Sequence, residues 1–561
     1  MPEKVVSPYL TQGVIAYIGN KRRLLELIGE ALRKSVGAQL SGVQFLDLFA
    51  GSGVVSRYAR YQGMRVIAND WEPYSQALCS AWLEPTKDDV CRIFGSMEDF
   101  RATIQMLNSA EVQEEYLARY YAPASHNIQD ADYRKERLFY TRSNALILDG
   151  AREKLECLNQ ELVEKGASTQ DRKLHKNLLL APILYAAATH VNTSGVFKAF
   201  HKGFGGYGKD ALQRITAPIQ LMAPQVLSGN PGTVLGLDAN TFVSSYGAKG
   251  ADVVYLDPPY NQHQYGSNYH LLNSLALWDR IPEPLELGDD GRLVRKAGIR
   301  SDWVKTRSDY CSRARAPKVF AQLLDGLDAS FILISYSTDG IIPFEELRTI
   351  CESFGRVRLV ANPYVTYRGG RQSARRRDKN VEFILILEKG GRSTPRDRRG
   401  VDRAILARRL QLLKGDFYHP KALSEHGDFQ GTHWFPRIHG KSIAIETQSQ
   451  TKLLTLPTPE EIGLVSSRKL IKILEKCRCQ SRGDELHVLE NIWRNHPGCN
   501  WELLKEVPRI LRKMAHRKYR EEFEMHLELL RGFSTIDPPL YHRMVIQLDA
   551  IEEQARQRFS G

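Results

Sequence analysis

Apolar positions along the chain fall into two rhythms. Between residues 43 and 70, short and nearly continuous apolar runs flank a stretch with helical spacing. Val43–Phe49 is the first run and ends in Ala50-Gly51-Ser52-Gly53. Val54–Tyr61 follows with helical periodicity, and Gly63 suits its C-terminal cap. Arg65–Ala68 predicts a second strand that stops at Asn69-Asp70. Strand, glycine turn, helix, strand is the opening of a parallel α/β sheet. Residues 85–230 change to helical spacing, with runs over Glu111–Tyr121 and Ala145–Lys165. The longest apolar run, Leu178–Val191, contains Pro182, is too short to span a bilayer and predicts a buried helix. The strand rhythm returns at Thr233–Leu237 and Val253–Leu256, and Phe331–Ser335 and Val381–Leu387 predict the last strands.

Past Gly390 the pattern shifts again. Residues 391–410 are rich in arginine, and the tail from about 465 to 561 predicts charged amphipathic helices. The fold expected is α/β: a Rossmann-like sheet with a helical insertion and a mainly helical C-terminal extension. The sheet core would comprise residues 1–84 and 231–390, the insertion 85–230 and a basic C-terminal domain 391–561.

Charge narrows the partners. The formal net charge is +13 and the isoelectric point about 9.2. That balance favours a polyanion, of which nucleic acid is the commonest. Eight cysteines without a regular framework fit a reducing compartment. Met1–Leu10 lacks the apolar core of a secretion signal. The expected location is therefore cytoplasmic, nucleoid-associated through DNA, with no membrane partner.

Asp257-Pro258-Pro259-Tyr260 directly follows the apolar run Val253–Leu256. The four residue types suit transfer to an exocyclic amine. The N6 lone pair of adenine is delocalised into the ring, so the amine is a poor nucleophile. Two acceptors on its hydrogens draw the lone pair out of the ring plane. The Asp257 carboxylate and the Pro258 carbonyl can serve together, while the prolines stiffen the turn. Tyr260 offers a flat face for a base turned out of the duplex. Read alone, the tetrapeptide is also explained by a turn closing a strand.

Asp47-Leu48-Phe49-Ala50-Gly51-Ser52-Gly53 brings backbone close to a ligand at the head of a helix, with Phe49, Gly51 and Gly53 as candidate contacts. Asp70, 19 residues beyond Gly51, ends the next strand, where a carboxylate can bind ribose hydroxyls. The third glycine of the dinucleotide fingerprint is absent, which favours S-adenosylmethionine over a pyrophosphate-bearing nucleotide. In Tyr17-Ile18-Gly19-Asn20-Lys21, Tyr17 can pack on that cofactor and Lys21 can reach its carboxylate. Asp238 is placed to accept from the cofactor's adenine, or else to cap a helix.

Together these motifs resemble the Dam-type, alpha-group, adenine-specific DNA methyltransferases. The order matches: Tyr17–Lys21, Asp47–Gly53, a long insertion, then Asp257–Tyr260. Flanking segments match too: Asn261, Tyr265, Asn268-Tyr269-His270, Phe139-Tyr140-Thr141, Asn192–Phe197, Ser308–Cys311 and Ser335–Gly340. The resemblance covers roughly residues 10–390. It implies that Tyr17, Lys21, Asp70 and Asp257 line the cofactor site and that Asp257–Tyr260 hold the target adenine. It places sequence reading in helices within 85–230 and in the loop Arg368–Lys379. Double-stranded DNA is the implied partner and a cognate restriction endonuclease a candidate one. Residues 391–561 have no counterpart in the family's minimal members.

The loop carries Arg368, Arg371, Arg375, Arg376, Arg377 and Lys379, which suit phosphate contacts. In the tail, Cys477, Cys479, His496 and Cys499 are poorly spaced for structural zinc, so no metal is expected. No Asp…Glu-x-Lys nuclease pattern is found. Three other readings stay open on sequence: transfer to cytosine N4 or to adenine in RNA, a non-catalytic DNA-binding subunit, and an interaction protein built on the tail.

Overall fold

The computed structural model describes residues 7–560 except 17, 207–208, 247–249, 362–379, 439–441 and 496–500. The chain divides into two compact units. One comprises Met1–Val360 and Phe383–Thr394, the other Ala361–Glu382 and Pro395–Gly561. Among the described residues no helix is long and apolar enough to cross a membrane.

The first unit is mixed α/β around a seven-stranded, mainly parallel sheet. Its strands are β1 Gln44–Asp47, β2 Arg65–Asn69, β3 Thr233–Leu235, β4 Ala251–Leu256, β5 Ala329–Ser337, β6 Gly355–Ala361 and β7 Glu382–Lys389. They lie in the order β3-β2-β1-β4-β5-β7-β6. β1 pairs in parallel with β2 and β4, β2 with β3, and β4 with β5. A central strand covered on both faces reads as an unbroken apolar run. Val253–Leu256 of β4 is such a run, entirely buried. The register sets Asp47 opposite Tyr255, so β1 and β4 end at one level and their terminal turns lie side by side.

The helices that frame this sheet are α1 Leu25–Val36, α2 Val54–Tyr61, α3 Pro73–Leu83, α4 Arg142–Glu164, α5 Thr169–His190, α6 Ala239–Tyr246 and α7 His270–Leu277. α2 starts after Gly53, whose φ of 72° few side chains adopt. It ends before Gly63, also left-handed at 81°. α3, α4 and α5 share one apolar core with α7, and Leu178–Leu184 with Pro182 lie buried in it.

Glu111–Tyr121 does not form the expected helix; only Leu117–Tyr120 is helical. Two carboxylates on α4 take its backbone N–H groups instead. Asp149 accepts from Tyr116, Leu117 and Ala118, and Glu153 accepts from Gln113 and Glu114. With its donors satisfied from outside, the segment wraps α4 rather than coiling on itself. The edge strand β6 was not expected.

The second unit opens with α8 Pro395–Leu413 and carries a small antiparallel sheet, which the expectation of a mainly helical extension over 391–561 did not foresee, while the tail from 464 on is helical as expected among the described residues. The sheet's strands are β8 Gly427–Gln430, β9 His433–Pro436, β10 Ile445–Gln448 and β11 Lys452–Leu453, ordered β11-β10-β9-β8. α9 Leu464–Cys477 packs on α8, and the two share a core with Trp434 and Ile445. The remaining helices, from Arg482–Asn495 to Pro538–Ser560, close a separate core in which Trp493 stacks on Phe533 at 4.1 Å. Cys477 and Cys479 are buried, one in each core, while His496 and Cys499 lie outside the described residues.

Candidate active site

The turns after β1 and β4 open into one cleft. Its lining comes from two stretches, residues 18–72 and 237–310. Asp257, Pro258, Pro259 and Tyr260 line it together with Phe49, Gly51, Asp70, Lys21 and Asp238. Gly53 sits behind the turn, where a Cβ would come 3.0 Å from Cys79 Sγ. Tyr17 and the basic loop, with Arg368, Arg371, Arg375, Arg376, Arg377 and Lys379, fall outside the described residues.

Local geometry explains how each group is held. Asn20 caps a short 3-10 turn by accepting from Arg22 N–H at 2.8 Å, and donates to the Ile15 carbonyl at 3.0 Å. Lys21, the first residue of that turn, is thereby buried with Nζ 3.1 Å from Asp257 Oδ1. The same ammonium lies 4.8 Å from the Tyr260 ring centroid. Two tyrosines from beyond the tetrapeptide support the Lys21 loop. Tyr269 Oη accepts from Ile18 N–H at 2.8 Å, and Tyr265 Oη donates to the Ile18 carbonyl at 3.3 Å. Tyr260 meets Tyr336 edge-on at 5.6 Å, and its carbonyl accepts from Ile341 N–H.

On the glycine side, Gly51 N–H donates to Asp70 Oδ2 at 2.7 Å and Glu72 N–H to Asp70 Oδ1 at 3.0 Å. Asn69 ties three strand ends together: it donates to the carbonyls of Leu48 and Leu237 and accepts from Leu237 N–H. Phe49 meets Tyr310 edge-on at 5.2 Å, and Tyr310 Oη donates to Asn240 at 2.6 Å. Asp238 caps α6, accepting from Thr241 N–H at 3.0 Å, and also lines the cleft, so both sequence readings of it remain compatible.

Sequence reasoning missed Glu72 and Tyr310 as cleft residues and did not single out Asp47. Glu72 is buried and accepts from Asn273 Nδ2 at 2.7 Å. Gln264 exchanges two hydrogen bonds with the backbone of Ser308. These bonds pin the segment around Ser308 along the cleft. Its only sequence signal was the match of Ser308–Cys311.

Five carboxyl groups (Asp47, Asp70, Glu72, Asp238 and Asp257) thus line the cleft against one ammonium, Lys21, among the described residues. Burial pushes Asp47 up to about 7; Ser56 Oγ, donating at 2.6 Å, opposes the rise and the charges of Asp257 and Asp70 add to it. Burial likewise lifts Glu72 to about 7 against its hydrogen bond from Asn273. In the unfolded chain such groups titrate near about 4. Their stabilising contribution is full below that value and is lost as pH rises through about 7. The ligand-free protein is therefore expected to melt at progressively lower temperature from about pH 5 to about pH 8. Asp47→Asn should flatten that slope in scanning fluorimetry; an unaltered slope refutes the assignment.

The comparisons agree with this geometry. The D12 class N6 adenine-specific DNA methyltransferase family matches residues 17–286. Type II methyltransferase M.NlaIII of Neisseria lactamica is 30% identical over 377 residues, 66% of this chain and 99% of that protein. Modification methylase LlaI of Lactococcus lactis subsp. lactis is 28% identical over 409 residues, 71% of this chain and 59% of its own length. Type II methyltransferase M.CviAII of Paramecium bursaria Chlorella virus 1 is 27% identical over 374 residues, 67% of this chain and 99% of its own. No solved structure gives a significant match. With the tetrapeptide and the glycine turn facing one cleft, and a relative matched along 99% of its length, the chain belongs to the D12 class of N6 adenine-specific DNA methyltransferases.

Proposed function

We propose that the cleft holds S-adenosylmethionine beside one adenine turned out of duplex DNA, and that Asp257 with the Pro258 carbonyl orients the N6 amine for methylation. The observation that carries this reading is the shared cleft of Asp257 and the Gly51 turn. The strand order, parallel from β3 through β5, supports a Rossmann-like methyltransferase sheet.

The lining suits this donor. Five carboxyls against one ammonium favour a ligand that carries positive charge and hydroxyls. Gly51 N–H, which could cradle a phosphate, is already given to Asp70. The donor supplies a methyl on a sulfonium. Lys21, Phe49, Gly51, Asp70, Asp238 and Asp257 are the lining residues that would hold it, while Gly53, behind the turn, would shape the loop rather than touch the donor.

The chain's own task is alignment. Asp257 and the Pro258 carbonyl accept the two amino hydrogens and draw the nitrogen lone pair out of the ring plane. Pro258 and Pro259 keep the acceptors fixed, and Tyr260 supplies the stacking face. The nitrogen turns cationic only as its new bond forms, so no strong base acts beforehand. The fixed carboxylate and carbonyl face that developing charge, and the proton leaves afterwards through Asp257 or water. In this reading residues 85–230 and the loop Arg368–Lys379 read and grip the duplex. The absence of 85–230 from the cleft lining supports that division among the described residues. In this reading the chain acts on DNA in the cytoplasm, and the likeness to a type II methyltransferase and a modification methylase favours a cognate restriction endonuclease as partner.

Expression in a methylation-free host, followed by modification-sensitive sequencing, tests this. N6-methyladenine confined to one short motif is expected. N4-methylcytosine, or unmodified DNA, overturns the reading.

A further inference from the structure

We propose that the exposed face of α9 is a second, sequence-independent contact for duplex DNA, made to backbone phosphates. The C-terminal charge is unevenly placed. Residues 395–480 carry 16 Lys and Arg against 9 Asp and Glu, a net +7, while residues 481–561 carry 13 of each. The excess therefore belongs to the part built from α8, the small sheet and α9.

Within that part, some cations are neutralised and others are not. Where α9 meets α8, Arg468 pairs with Asp402 at 2.8 Å and Glu475 with Arg409 at 2.6 Å. Lys469, Lys472 and Lys476 follow at spacings of three and four, flanking that contact on the exposed part of the helix. At 3.6 residues per turn they fall within an arc of about 60°. All three are exposed, and among the described residues none makes an ion pair. The opposite side, Leu470, Ile471, Leu474 and Cys477, is buried in the core. The row is thus mounted on a fixed helix, its members about 4.5 and 6 Å apart along the axis.

Three unpaired ammonium groups in line suit a polyanion whose charges recur at short intervals. Lysine presents a point charge rather than a planar fork, which fits phosphate better than base edges. The chain's substrate is such a polyanion, and that favours DNA over an acidic protein as the occupant.

The test uses the full chain with Lys469→Gln, Lys472→Gln and Lys476→Gln combined, beside the three Lys→Arg changes as a charge-preserving control. Binding to a labelled duplex of G·C pairs alone, which holds no adenine target, is followed by anisotropy from about 50 to about 200 mM salt. The Gln variant should bind with a salt slope shallower by up to about 2.7, about 0.9 per phosphate contact removed. The Arg variant should match the unsubstituted protein. Methyl incorporation into a short target duplex, read in parallel, should be unchanged in both, and its loss in the unsubstituted protein would count against the catalytic assignment alone. Identical slopes for the Gln variant and the unsubstituted protein overturn the proposal, as an acidic protein partner would produce. Equal weakening of the Gln and Arg variants overturns it too, since that would report a change of structure and not of charge.

Discussion

Asp257→Ala is expected to abolish methyl transfer while duplex binding survives. In the proposed mechanism the amine becomes reactive only when its hydrogens are held by two fixed acceptors, and this substitution deletes one. Removing a single preorganised group that faces developing charge typically costs on the order of a hundred- to a thousandfold in rate. The loss here should reach the upper end, because the same carboxylate lies against Lys21 Nζ at 3.1 Å. Its deletion leaves a nearly buried ammonium without that partner, a cost of about 3 kcal/mol to the fold. Asp257→Asn separates the two effects. It keeps the side-chain volume and one oxygen, so the fold should hold by circular dichroism, yet it offers Lys21 and the amine a neutral amide. Radiolabelled methyl incorporation beside a gel shift decides the matter. Near-normal incorporation by either variant removes Asp257 from the chemistry.

Tyr260→Ala should lose most activity and Tyr260→Phe should keep most of it. Stacking of a base on an aromatic face is worth about 1–3 kcal/mol, or roughly five- to a hundredfold. The hydroxyl contributes little to such a face. The ring also lies 4.8 Å from Lys21 Nζ, so Ala removes a support of the ammonium along with the stacking surface. Tyr260→Leu distinguishes these roles, since it returns apolar bulk without a flat π-face. Activities in the order Phe, then Leu, then Ala fit stacking. Equal rates for Ala and Phe, or for Leu and Phe, argue that the ring is only packing.

Much of the frame was legible because its causes are local. α2 was read to the residue, since left-handed glycines at 53 and 63 bound it on either side. The run Val253–Leu256 was legible because burial on both faces leaves no polar positions to break it. Errors arose where partners are distant in sequence. Glu111–Tyr121 has helical spacing, but Asp149 and Glu153 take its N–H groups. β6 lies at the sheet edge, and its mixed burial hides the strand rhythm. The same holds at the site. Asp257, Lys21 and Asp70 sit in motifs whose neighbours dictate their use. Glu72 is held at the cleft through Asn273, 201 positions away, and no spacing rule reports that contact.

The cleft draws its walls from residues 18–72 and 237–310, leaving the long helical stretch between them out of its lining. With target reading assigned to that intervening stretch, as proposed above, a lineage would exchange one preferred target for another by drift there while its turnover stays constant. On that proposal selectivity and rate would be separately heritable traits, and new specificities would arise without an inactive ancestor in between.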